Sequence, residues 1–91
     1  MDLDRLIEVI SQEYDINPTQ LLGKCRTEVY SEARQMYMHI LRKECGYTES
    51  EIAWMTGRHI NTVKYNLDTF ESLLKYDRNI RQTYDDVLGQ M

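Results

Sequence analysis

Residues 48–67, TESEIAWMTGRHINTVKYNL, restrict the fold more than any other part of this chain. Thr48-Glu49-Ser50-Glu51 is a capping box, in which the Thr48 hydroxyl and the Glu51 carboxylate each satisfy one free backbone N–H at a helix start. The helix it opens is short, because Gly57 tolerates the positive φ that ends a helix and turns the chain. A second helix begins near His59 or Asn61. Ala53 is small where that helix would cross the first closely, and Ile52 and Val63 supply one apolar anchor from each. This spacing predicts a helix-turn-helix over about 48–67.

The rest of the chain offers helices and no strand alternation. Leu3, Leu6, Ile7, Ile10 and Tyr14 follow the i, i+3, i+4, i+7 rhythm of an amphipathic helix, which stops at Asp15-Ile16-Asn17-Pro18. Thr19 is the predicted cap of a short turn through Leu22, closed by Gly23. Thr27 caps a long helix with an inner stripe of Val29/Tyr30, Ala33, Met36/Tyr37, Ile40 and Leu41, with Gly46 just beyond its end. The second helix of the motif runs to about Tyr76, and Asp77 caps a last helix through Leu88. The expected fold is all-α, a five- to six-helix bundle forming one domain over residues 1–91.

Composition narrows the function class. The net charge is −4, yet it is unevenly spread. Asp2, Asp4, Glu8, Glu13 and Asp15 face only Arg5 in the first 22 residues, and the last 25 are also acidic. The cationic excess lies between residues 23 and 66, around the motif, where a local field could attract phosphate. No apolar run has the roughly 18 residues of a membrane span, and the acidic, amphipathic N-terminus is unlike a signal peptide, so the expected location is the cytoplasm. Cys25 and Cys45, with His39 and His59, have no metal-ligand spacing and read as reduced thiols. No G-x-x-x-x-G-K-[ST] loop is present, Gly23-Lys24 being an isolated dipeptide, and no nucleophile–base pair is evident. The chain reads as a non-enzyme without metal or cofactor.

With Val63 turned inward, the N-terminal half of the second helix presents His59, Asn61, Thr62 and Tyr65 outward, with Lys64 flanking. These are the positions that reach base edges when such a helix lies in the major groove. Asn61 suits bidentate pairing with adenine, Thr62 suits a thymine methyl or a phosphate, and Arg58 in the turn suits guanine or phosphate. His59 and Asn61 also fit as helix caps, Ile60 as a residue buried under the turn, and Tyr65 as a packed surface aromatic.

From about Ile7 to Leu88 the sequence resembles the C-terminal DNA-binding domain of the bacterial chromosomal replication initiator DnaA, a Trp-repressor-like helical domain. Tyr14-Asp15-Ile16 and Leu21-Leu22-Gly23-Lys24 resemble that family's first helix end and short second turn. Lys24-Cys25-Arg26 falls where the family has a basic loop entering the minor groove. Ala33-Arg34-Gln35-Met36-Tyr37-Met38 resembles its Ala/Pro-Arg-Gln-x-x-Met run, whose arginine and glutamine approach DNA. Glu51-Ile52-Ala53 and Gly57-Arg58-His59-Ile60-Asn61-Thr62-Val63 fall on its Glu-Ile-Gly and Gly-Arg-Asp-His-Thr-Thr-Val signature.

The chain also departs from that signature. Asp-His is replaced by His59-Ile60 and the first Thr by Asn61, and one residue is missing between Ile52 and Gly57. Cys25 and Glu28 thin the basic loop, and Asp68 and Thr69 replace two basic positions beyond the signature. The resemblance implies double-stranded DNA binding in replication initiation or transcriptional control. Lys24, Arg26, Arg34, Gln35, Arg58, His59, Asn61, Thr62, Lys64 and Tyr65 are the candidate contacts. The departures imply a changed site preference and a weaker phosphate grip. Two other roles fit the same fold, a protein-interaction module using the acidic ends and a ligand-responsive repressor, and a helix-turn-helix that acts as an oligomer fits any of them.

Overall fold

The computed structural model describes residues 1–24 and 27–91. These residues form six helices and no strand: α1 (Leu3–Tyr14), α2 (Pro18–Leu22), α3 (Glu28–Lys43), α4 (Glu49–Thr56), α5 (Ile60–Tyr76) and α6 (Arg78–Gly89). The first and last helices start on side-chain caps. Asp2 accepts the Asp4 and Arg5 N–H groups at the head of α1, and Asp77 accepts those of Asn79 and Ile80 at the head of α6.

The boundary between α1 and α2 differs in detail from the sequence expectation. Asp15, in left-handed geometry at φ 54°, ends α1 three residues ahead of the proline. Asn17, not Thr19, stands at the start of α2, and the Gln20 side chain accepts its N–H at 2.9 Å. Pro18 is then the first helical residue, where its missing N–H and fixed φ carry no penalty.

Helix α3 is the centre of the domain, packed against α1, α2, α4 and α5, while α6 closes the bundle against α5 and α1. Ala33, Met36, Tyr37, Ile40 and Leu41 are buried as their spacing predicts. Val29 is exposed, near the helix start, and Met38, His39 and Arg34 are buried in addition. A one-sided stripe underestimates a helix with neighbours on several sides. Leu6, Val9 and Ile10 of α1, Ile52 of α4, Val63, Leu67 and Phe70 of α5, and Ile80 and Val87 of α6 complete one continuous core.

Candidate nucleic-acid interface

The helix-turn-helix is built as the sequence predicts. Glu51 Oε1 accepts the Thr48 N–H at 2.9 Å and Thr48 Oγ1 accepts the Glu51 N–H at 3.1 Å. The Thr48 backbone N–H first, and then the Thr48 side chain, hold the Glu51 carboxyl below its ordinary value. Gly57 adopts φ 64° and donates back to α4, and the Arg58 N–H reaches Ala53 O at 3.0 Å. Ile52 and Val63 are both fully buried, so α5 is locked onto α4 through its first turn.

At the head of α5 the His59 Nδ1 accepts the Asn61 N–H at 3.1 Å. His59 is therefore the helix cap, and the neutral tautomer that makes this bond carries its proton on Nε2. Asn61, Thr62, Lys64 and Tyr65 are exposed on the first turns of the same helix, Tyr65 at 68%. None of the four is held by the core.

Beside this face lies an open cleft of about 530 Å³, edged by Lys24, Ser31, Arg34, Gly57, Arg58, His59, Thr62, Tyr65 and Asn66. It gathers six of the candidate residues from three parts of the chain. Gln35 is half-buried on α3 and does not line it, and Asn61 and Lys64 stand on the outer side of α5. Arg26 lies outside the described residues.

The two arginines are not free surface charges. Arg34 is 7% exposed, and its Nε donates to Leu21 O at 2.9 Å and its Nη2 to Gln20 O at 3.1 Å. Arg58 is half-buried and donates to Thr56 O at 3.0 Å and to Gly23 O. Burial and the neighbouring Arg34 charge push the Arg58 guanidinium below its ordinary value. Lys24 is exposed at the cleft rim.

Ser31 and Asn66 complete the lining, and the sequence reading did not single them out. Asn66 follows Thr62 by one turn and donates its side-chain N–H to Thr62 O at 2.9 Å, so i, i+4 spacing from Thr62 carries its signal.

The family model for the bacterial DnaA protein helix-turn-helix matches residues 3–69. The chain belongs to that family. The match takes in α1 to α4 and the part of α5 that carries the exposed residues above. Chromosomal replication initiator proteins DnaA align across almost the whole chain. The one from Mycoplasma capricolum is 26% identical over 86 residues, 93% of this chain and 19% of the relative. That from Tropheryma whipplei is 26% identical over 87 residues, 96% and 18%. That from Acinetobacter baylyi is 27% identical over 89 residues, 97% and 19%. The chain thus spans about a fifth of the length of the curated relatives it matches. No helix among the described residues is long and apolar enough to cross a membrane.

Proposed function

We propose that this DnaA-family domain binds double-stranded DNA sequence-specifically, with α5 in the major groove, in replication initiation or transcriptional control. The observation that carries the reading is the exposed group Asn61, Thr62, Lys64 and Tyr65 at the head of α5, beside the cleft. A helix anchored by Val63 and Leu67 on one side and bare on the other has the form of a recognition helix.

In this role Asn61 and Thr62 read base edges, Tyr65 packs on the groove wall, and Lys64 and Lys24 hold phosphates. His59 holds the helix start in place while its outer nitrogen is left to donate. The proposed activity is binding, without catalysis or a cofactor, in the cytoplasm. One helix-turn-helix reads few base pairs, so tight binding calls for a dimer, adjacent copies or a further domain.

Fluorescence anisotropy on a random duplex pool, followed by selection at low and near-physiological salt, tests this reading. Enrichment of one motif, with binding lost in Asn61→Ala with Thr62→Ala, supports it. A protein with no affinity for duplex even at low salt would overturn it.

A second reading rests on Trp54, which is 86% exposed on α4 beside Tyr47 and Met55. Together with Ser50 and Glu51 these residues line a mostly apolar hollow that suits a protein partner, by itself or together with DNA. A stable protein partner without DNA affinity favours that role over the first.

A further inference from the structure

Arg58 falls on the signature that the family resemblance marks for DNA contact, yet its guanidinium is already engaged inside the protein. Nη1 donates to Thr56 O at 3.0 Å, within the turn of the helix-turn-helix. Nη2 donates to Gly23 O, 35 residues away in sequence. Gly23 ends α2, and Lys24 follows it directly.

The α2 side of this bridge is held by further bonds. Helix α2 has five residues, so its last carbonyls have no partner within it. Arg34 takes two of them, Gln20 O and Leu21 O, and Arg58 takes that of Gly23, the residue just past the helix. Gly23 itself is pressed against the helix, since a Cβ there would stand 2.9 Å from Thr19 O. The two arginines, adjacent enough to depress the Arg58 guanidinium together with burial, grip the end of α2 from α3 and from the turn.

We propose that Arg58 is a positioning residue, whose guanidinium ties the helix-turn-helix turn to the end of α2 and thereby sets how far Lys24 stands from the head of α5. This rests on the DNA-binding reading above. Two DNA-facing elements on separate parts of the chain need a fixed separation to engage one duplex together. A planar guanidinium can bridge two carbonyls at set distances, and a lysine ammonium on its flexible stem cannot hold both in that geometry. Arg58 acts on DNA through Lys24 and makes no phosphate contact of its own.

A double-mutant cycle on a selected duplex tests this by anisotropy over a salt series, with each variant checked by thermal melting. Lys24→Ala and Arg58→Gln are each expected to weaken binding about tenfold and to lower the salt slope by about 0.9, with the double variant losing no more than either single. A double variant weakened about a hundredfold, with the slope falling twice, marks Arg58 as an independent phosphate contact and overturns the proposal. Arg58→Lys is the second arm. It is expected to behave as Arg58→Gln, and full retention of affinity overturns the proposal.

The bridge is also tested on the free protein. Arg58→Gln should shift the amide resonances of Gly23 and Lys24, and in the wild type the Arg58 guanidinium protons should exchange slowly before any DNA is added. Unmoved amides, or guanidinium protons that slow only in the complex, overturn it. A wild type that binds no duplex refutes the DNA-binding reading and leaves these free-protein measurements to decide the bridge.

Discussion

The Tyr14 hydroxyl donates to the Glu32 carboxylate at 2.5 Å, tying the last residue of α1 to the second turn of α3. Burial first, and then Glu32, push the Tyr14 hydroxyl above its ordinary value, and Tyr84 is pushed up to about 12 by burial and by Glu44 at the end of α3. Both groups keep their protons more strongly folded than unfolded. The stability they contribute is complete below pH 10 and is lost as the pH rises beyond it. Urea midpoints followed through that range should fall, in step with tyrosinate absorbance. Tyr14→Phe should cost about 1–2 kcal/mol at neutral pH and make the alkaline fall shallower.

Glycine substitutions should sort by geometry. Gly23→Ala brings a Cβ to 2.9 Å from a backbone carbonyl that can move only with α2, and should cost about 1–3 kcal/mol. Gly57 has open space around it but sits at φ 64°, so Gly57→Ala should cost about 1–2 kcal/mol and Gly57→Asn less. Gly89 closes α6 with open space and no unusual backbone, and Gly89→Ala should be neutral or slightly stabilising. Thermal melts of the three alanine variants give the order; a harmless Gly23→Ala would refute the close contact assigned there.

The glycines and caps were readable because their chemistry is local. Thr48 with Glu51, Gly57 and Asp77 each satisfy or free backbone groups within four residues, so the two ends of α4 and the start of α6 follow from local sequence. Asn17 takes the place that the sequence offers to Thr19, because Pro18 can end one helix or begin the next and only the fold chooses. The arginines were not readable. Nothing near Arg34 or Arg58 in sequence signals that carbonyls 13, 14 and 35 positions away need donors. A cation next to a recognition helix reads as a DNA contact until its tertiary partners are visible. The outward face of α5 was legible through Val63, which fixes the helix rotation and with it every other position.

His39 is 5% exposed in the core, with Phe70 5.2 Å and Tyr84 5.4 Å away between ring centres. Burial lowers its affinity for a proton, as does Lys43, against smaller opposing effects of Glu71 and Glu44. The folded state therefore binds this proton less readily than the unfolded state, whose ordinary value is 6.5. Its contribution to stability is complete above that value and is lost as the pH falls through the lowered folded value. Urea unfolding at about pH 7.5 and about pH 5 should show the weaker midpoint on the acid side. His39→Gln should reduce the difference between the two; an unchanged difference would assign it to carboxylates instead.

Asp68 offers the sharpest test of how α5 meets DNA. It is exposed, and it follows Asn61 by seven residues and Lys64 by four, so it continues the outward face for two helical turns. With α5 docked as proposed, a carboxylate there would repel the phosphates flanking the groove that Asn61 and Thr62 enter. Asp68→Lys should tighten binding to any duplex and steepen the salt slope by about 0.9 per phosphate gained. It should leave the preferred motif unchanged, since a phosphate contact carries no base information. Asn61→Ala should do the reverse, weakening the selected motif by about 1–3 kcal/mol while leaving affinity for random duplex and the salt slope nearly intact. Anisotropy on selected and scrambled duplexes separates the two. A tightening confined to one sequence in Asp68→Lys, or a uniform loss in Asn61→Ala, would mean that α5 enters the groove at another rotation than the one Val63 fixes.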